Sequence, residues 1–290
     1  MSDFRKSVNR MATLAEARSL LFAPGSDEHK LRKALESGAD AVVCDLEDAV
    51  APAEKVRARG LVAQVLSEEK GGCARLVRIN AAETEWFAGD LAAVAGLELD
   101  AIVLPKATPE SVEALGPGEH SVVAIVETAH GLRLAYETAC SPRVVALALG
   151  AVDLGLELGF EARPDGQEVL FARSKVVLES AAARIRGPFD QVYLDVMDAE
   201  GLEAECLLAR SLGFRGKACI HPDQVEVVNR AFAPSELELD RARRIVEAFE
   251  RGLGEGRGAV ALDGEMIDLP VVERARGVLA QAKRSVFDGN

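Results

Sequence analysis

Glu127 and Asp153 are the residues best placed to do chemistry. Glu127 ends the apolar run Val122-Val123-Ala124-Ile125-Val126, and Asp153 follows the run Val144 to Leu149 by way of Gly150. Short apolar runs bounded by turn residues read as buried strands of a parallel sheet. Parallel neighbours would bring both acids out at one edge. Two carboxylates there make a hard oxygen site suited to Mg²⁺, with Mn²⁺ as the alternative ion. The competing reading is that each acid caps the helix that follows it.

The rest of the chain supplies a rhythm that can position such a pair. Apolar runs recur at Ser19–Ala23, Ala39–Leu46, Ala74–Ile79, Ala101–Leu104, Phe189–Leu194 and Lys217–Ile220, in addition to the two above. Helix-compatible segments separate them, among them a piece from Thr128 to Cys140 and a long one from Gln167 to Arg186. Eight strands alternating with helices predict a (β/α)8 TIM barrel over residues 1–232, with residues 1–17 as a short leader. Residues 233–290 predict a C-terminal arm: a helix, a hairpin around Asp263-Gly264, and a last helix from Pro270. Such an arm can act as a lid on its own or a neighbouring barrel.

Barrel enzymes place their sites at the C-terminal ends of the strands. Ionisable groups gather at those positions here: Asp45-Leu46-Glu47-Asp48, Arg78-Ile79-Asn80, Lys106, Glu127, Asp153 and His221. So many charges at one ring are costly to collect unless they meet a metal and an anionic ligand. That favours the metal reading of Glu127 and Asp153 over capping. Glu47 and Asp48 are expected either to bind metal-coordinated water or to cap a loop. Lys106 is expected to contact an anion or partner nearby acids. Asn80 reads as a turn residue orienting Arg78, Trp86 as packing, and His221 as an anchor of the eighth loop.

Composition narrows the function classes. The 290 residues carry a net charge of −13 and no basic block, which argues against a nucleic-acid partner. No apolar run approaches the ~18 residues that span a membrane. Met1 to Glu16 has no signal-peptide core, and five dispersed cysteines without a CxxC pair read as reduced cytoplasmic thiols.

An ordered set of segments resembles the citrate lyase β-subunit-like proteins of the HpcH/HpaI aldolase/citrate lyase superfamily. The set starts with Arg18-Ser19-Leu20-Leu21-Phe22-Ala23-Pro24-Gly25 and the stretch Gly38 to Val50, followed by Lys55 and Arg59. It continues through Arg78-Ile79-Asn80, Leu104-Pro105-Lys106, Glu127-Thr128 and Gly150-Ala151-Val152-Asp153-Leu154. It closes with Gly216 to Pro222 and Gly264-Glu265-Met266-Ile267-Asp268-Leu269-Pro270.

The resemblance implies a barrel enzyme, usually a homotrimer, that makes or breaks a C–C bond in a coenzyme A thioester such as malyl-, citramalyl- or citryl-CoA. The products would be acetyl-CoA and a 2-keto acid. It implies Mg²⁺ on Glu127 and Asp153, and the keto acid on Arg78 with backbone N–H groups of Gly150 and Ala151. Asp268 would be the proton-transferring acid, donated across a subunit interface, and Lys55 and Arg59 would stabilise the site or touch coenzyme A phosphates. Related activities are a citrate lyase β subunit acting on citryl-acyl carrier protein, a malyl-CoA thioesterase, and a non-catalytic keto-acid or CoA-binding protein. Two residues depart from the family pattern: Val152 stands where many relatives have an acid, and Glu265 where many have a lysine.

Overall fold

A computed structural model describes residues 14–69, 72–163 and 165–285. The expected leader falls mostly on residues 1–13, outside that range. Eight parallel strands close into a barrel in chain order: β1 (Ser19–Pro24), β2 (Ala41–Asp45), β3 (Ala74–Arg78), β4 (Ala101–Leu104), β5 (Ser121–Val126), β6 (Val144–Leu149), β7 (Phe189–Asp190) and β8 (Gly216–Cys219). β8 pairs back onto β1 through Ser19 and Lys217.

Alternation along the strands sorts the side chains. Leu20, Ala41, Val43, Leu76, Val103, Val123, Ile125, Ala146, Ala148 and Phe189 fill the barrel interior. Their neighbours Leu21, Val42, Cys44, Val77, Ile102, Leu104, Val122, Ala124 and Leu147 face the surrounding helices. A period of two fixes which residues emerge at the C-terminal mouth. On β2 the inward set runs 41, 43, 45; on β3 it runs 74, 76, 78; on β5 it runs 123, 125, 127. Asp45, Arg78 and Glu127 therefore continue the interior columns into the mouth.

β7 is shorter than its sequence suggests, two residues in place of Phe189–Leu194. Beyond Asp190 a side chain takes a place in the ladder, and at Asp190 itself a buried charge cluster begins. Gln224 Nε2 donates to the Tyr193 carbonyl at 2.8 Å, so that peptide is satisfied without a neighbouring strand. The Asp190 carboxylate, fully buried, joins Arg173, Lys217 and Glu205 in a compact charge cluster between the strands and the helices. Arg173 Nε and Nη2 reach Asp190 at 2.9 and 3.0 Å, and Lys217 Nζ reaches it at 2.8 Å. Lys217 and Arg173 also contact Glu205, at 2.5 and 3.1 Å. Two cations against two anions leave the cluster neutral, the condition under which such charges persist out of water.

Other boundaries shift for local reasons. The Thr128–Cys140 piece forms two short helices, Ala129–Arg133 and Ala135–Ala139, broken at Leu134. The Gln167–Arg186 segment is a 3-10 turn, Gln167–Val169, followed by the helix Leu170–Ala182.

The chain divides into two compact units, with Phe232 ending the first and Ala233 opening the second. In the second, Ser235 and Glu238 form a capping box that starts the helix Glu236–Gly254. β9 (Val260–Leu262) and β10 (Glu265–Ile267) make an antiparallel hairpin. Its turn residues Asp263 and Gly264 both have positive φ, 53° and 84°, as a tight two-residue turn requires. The helix Leu269–Ser285 follows, and Ala242, Ile245, Phe249, Ile267, Val272 and Ala275 form a small core. Among the described residues, no helix is long and apolar enough to cross a membrane.

Asp190→Ala is expected to cost about 3–5 kcal/mol in urea unfolding, because it strands two buried cations. Arg244→Ala, which removes an exposed pair with Asp263, is expected to change stability by less than about 1 kcal/mol. Equal effects would show that the buried cluster is not a structural tie.

Candidate active site

The mouth of the barrel is organised by Arg78. Asp45 and Arg78 are direct partners in the β2–β3 register. Their side chains form a two-point fork: Nε to Oδ1 and Nη2 to Oδ2, both 2.7 Å. Nη1 lies 3.0 Å from Glu47 Oε2 and 3.3 Å from Asp48 Oδ2. The Phe22 ring sits 5.2 Å from the guanidinium carbon, within cation–π range. Burial alone would lower the Arg78 pKa, but the hydrogen bonds and charges of Asp45, Glu47 and Asp48 outweigh it and raise it. The guanidinium is therefore permanently charged.

The sequence counts Asp45 among the ionisable groups at the strand ends, but assigns it no role of its own. In the fold its two oxygens also accept the Glu47 and Ala49 N–H groups, at 2.8 and 3.1 Å. One carboxylate thus shapes the 45–49 loop and orients Arg78. The signal was available in its inward parity on β2.

Glu127 stands at the end of β5, nearly buried. Its Oε1 accepts the Lys106 backbone N–H at 2.7 Å. The main chain of Lys106, held at a φ of 48°, makes this contact with a nearby acid. Glu127 does not cap the helix that follows: Thr128 does, accepting from Gly131 N. Asp153 lies in the first turn of the helix Ala151–Leu158, and no side chain caps that helix either. The capping alternative is therefore excluded for both acids. The two interact: burial pushes the Glu127 pKa up to about 7, and the nearby Asp153 charge adds to the rise. Burial likewise pushes Glu47 up to about 8, opposed by Arg78 and reinforced by Asp48, Glu127 and Asp45. Burial does most of this and the neighbouring acids add to it; a divalent cation among them would stabilise the charged carboxylates.

The donor set fits a hard divalent cation. The oxygens belong to Glu127 and Asp153, and a hydrogen bond orients the first of them, while Glu47 Oε2 is taken up by its ion pair with Arg78. Among the described residues no three acidic, histidine or cysteine side chains form a closed cage. Two carboxylates leave coordination positions for water and ligand, as Mg²⁺ prefers.

Several expectations need correcting. Gly150 does not offer its N–H to a ligand, because Val126 O takes it at 3.0 Å. Its role is space: a Cβ there would stand 2.5 Å from Glu127 Cβ and 2.6 Å from Glu127 Oε2. The Ala151 N–H, at the start of a helix, has no intrahelical acceptor and remains a donor of that loop. Of the two roles expected for Lys55 and Arg59, their contacts fit stabilising the site and not reaching outward for phosphates. Lys55 Nζ donates to Leu46 O, Glu47 O and Asn80 Oδ1, and Arg59 binds Asp90 and Trp86 O. Asn80 contacts that pair of elements and not Arg78. His221 folds onto its own loop, its Nδ1 accepting from Asp223 N at 3.3 Å. Val152 is half exposed.

Asp268 and Glu265 belong to the second unit. Asp268 is half-buried between β10 and the last helix, with its Oδ1 3.4 Å from Val271 N. Glu265 pairs with Arg241 on an exposed surface.

Gly150→Ala should leave the barrel folded and displace Glu127. Divalent-cation affinity, measured by calorimetry, is expected to fall about 10- to 100-fold. Unchanged affinity would remove Glu127 from the cation site.

Comparison with known proteins follows the geometry closely. Residues 18–222 match the family described as HpcH/HpaI aldolase/citrate lyase, and residues 169–284 match a C–C bond lyase family of the TIM-barrel fold. A (3S)-malyl-CoA thioesterase of Cereibacter sphaeroides is 41% identical over 273 residues, covering 92% of this chain and 94% of the relative. The citrate lyase subunit beta of Escherichia coli is 38% identical over 284 residues, again covering 92% and 94%. The crystal structure of CitE from Mycobacterium tuberculosis in complex with magnesium, acetoacetate and coenzyme A superposes with a TM-score of 0.82 at 38% identity. It covers 93% of this chain and 99% of that one. With its closed parallel barrel, its acidic mouth and these matches along most of its length, the chain belongs to the HpcH/HpaI aldolase/citrate lyase family.

Proposed function

We propose that this protein is a Mg²⁺-dependent lyase that cleaves, or in reverse forms, a C–C bond in a 3-hydroxy-acyl-CoA whose hydroxyl-bearing carbon also carries a carboxylate. Malyl-, citramalyl- and citryl-CoA fit that description. The observation that carries the reading is the convergence of Glu127, Asp153 and a permanently charged Arg78 on one barrel mouth. Relatives with bound magnesium, oxaloacetate and coenzyme A support it.

Glu127 and Asp153 would hold the ion. When bound, Mg²⁺ supplies Lewis-acid polarisation of the oxygen at the reacting carbon. Arg78 binds the carboxylate of the acyl group. Asp45 occupies the Nε–Nη2 edge of the guanidinium, so the incoming carboxylate takes the Nη1 side, where the exposed Asp48 is the displaceable partner. The Ala151 N–H is a further donor to the same group.

Cleavage breaks the bond between the thioester's α carbon and the hydroxyl-bearing carbon. The hydroxyl proton passes to a water of the site, the hydroxyl carbon becomes the ketone, and the electron pair of the broken bond stays on the α carbon as a thioester enolate. Asp268 gives that carbon its proton, producing acetyl-CoA, and in the reverse direction it takes the proton away. A carboxylate does this work in an enclosed site. A homotrimer in which Asp268 comes from a neighbouring subunit provides that enclosure.

A second reading is hydrolysis of the thioester, favoured by the 41% identity to (3S)-malyl-CoA thioesterases. The citrate lyase β subunits point to a third, with the acyl group on a carrier protein. All three share the ion and Arg78 and differ in the fate of the thioester.

One product assay separates them. With (3S)-malyl-CoA and Mg²⁺, lyase chemistry yields acetyl-CoA and glyoxylate, whereas hydrolysis yields malate and free CoA. Citramalyl- and citryl-CoA complete the panel, and magnesium removal with EDTA should abolish turnover. Malate without glyoxylate would replace the lyase reading with the thioesterase. Asp268→Ala is expected to retain ion and keto-acid binding while turnover falls about 10²- to 10⁴-fold. Full turnover in that variant would take Asp268 out of the mechanism.

A further inference from the structure

The loop 45–49 presents two faces. On one, the carboxylates of Asp45, Glu47 and Asp48 grip Arg78. On the other, the backbone carbonyls of Leu46 and Glu47 are taken up by buried side chains. Both carbonyls accept from a single ammonium: Lys55 Nζ lies 2.8 Å from Leu46 O and 2.7 Å from Glu47 O. Its third donor goes to Asn80 Oδ1 at 2.7 Å. An ammonium has three N–H donors, so its hydrogen-bonding capacity is filled. Lys55 is 5% exposed and Asn80 1%.

Asn80 extends the tie. Its Nδ2 donates to Leu46 O at 2.9 Å and to Asp90 Oδ2 at 2.6 Å, and its own N–H donates to Asp90 Oδ2 at 2.7 Å. Asp90, with no exposed surface, takes Arg59 Nε on its other oxygen at 2.7 Å. Gly89 leaves the room this requires, since a Cβ there would stand 2.7 Å from the Arg59 guanidinium. Lys55 also lies 5.1 Å from the centre of the Trp86 ring. The tie therefore reaches from the helix Lys55–Glu68 and the helix Phe87–Val94 to the back of the acidic loop.

A buried polar chain of this kind is expensive, and an apolar contact would serve as well if only stability were at stake. Its contacts fall on the peptides that separate Asp45 from Asp48. A peptide held at its carbonyl cannot rotate, so the side chains on either side keep their direction. The geometry points to Lys55 as the positioning residue of the anion site. It acts through the Leu46 and Glu47 peptides, with Asn80 as its brace, and it holds the acids that aim Arg78 at a substrate carboxylate. It touches no substrate. This inference rests on Arg78 being the carboxylate-binding group.

Four proteins test it: wild type, Lys55→Met, Asn80→Ala and Arg78→Ala. Each is checked for fold by circular dichroism and assayed well below its Tm. The probes are magnesium chloride alone, and oxaloacetate in the presence of saturating magnesium, both by calorimetry. The ion is assigned to Glu127 and Asp153, so loss of the tie should move the two measurements differently. Lys55→Met is expected to weaken oxaloacetate about 10- to 100-fold and to leave the magnesium affinity within about threefold of wild type. Asn80→Ala should show the same split with a smaller loss, and it stands in for Lys55→Met if methionine prevents folding.

Oxaloacetate affinity within threefold of wild type in a folded tie variant would overturn the positioning role. So would a parallel loss of both ligands, which marks a general loosening of the mouth. If Arg78→Ala itself leaves oxaloacetate binding intact, the failure belongs to the assignment of Arg78 and not to the tie.

Discussion

A buried arginine in the grip of acids is the constraint on which the mouth of this barrel depends. Arg78 must remain charged although it has little contact with water, and that demands compensating carboxylates at close range. Asp45 meets the demand through the strand register, because the β2–β3 pairing places it directly opposite Arg78. The fork between them ties two strand ends together and sets the direction of the free guanidinium edge. Glu47 and Asp48 follow Asp45 in the chain and crowd the same cation.

That crowding has electrostatic consequences for the other acids. Glu127 and Asp153 approach each other at the ends of β5 and β6, with Asp48 and Glu47 nearby. Burial raises the pKa values of Glu127 and Glu47 most, and the neighbouring acids, whose charge Arg78 offsets only in part, raise them further. A cluster with an unmatched excess of oxygen donors is suited to a divalent cation. The contrasting cluster of Arg173, Asp190, Lys217 and Glu205 has equal numbers of each sign and is sealed between strands and helices. The imbalance, more than the number of charges, separates the candidate active site from a structural tie.

The same logic runs through the backbone. Gly150 serves by lacking a side chain where Glu127 needs the space. Lys106 serves through its peptide N–H, held in a left-handed conformation that is costly for a residue with a Cβ. Both sit one or two residues beyond a strand end, where a barrel concentrates such irregularities.

Much of this was legible in the sequence because its causes are local. Short continuous apolar runs and intervening helix signals specify eight β/α repeats, and the alternation of side chains along a strand sends positions 45, 78 and 127 to one mouth. Asp263-Gly264 specifies a hairpin turn through the φ values those residues tolerate. Other features were settled by contacts between residues far apart in the chain. Gln224 relieved the Tyr193 carbonyl and let β7 stop at Asp190. Lys55 and Arg59, which look like surface bases on a helix, found buried acceptors at Glu47, Asn80 and Asp90 and turned inward. Residue type and period determine where a side chain can point. Which partner it meets there depends on distances across the closed barrel, and only the tertiary structure sets those.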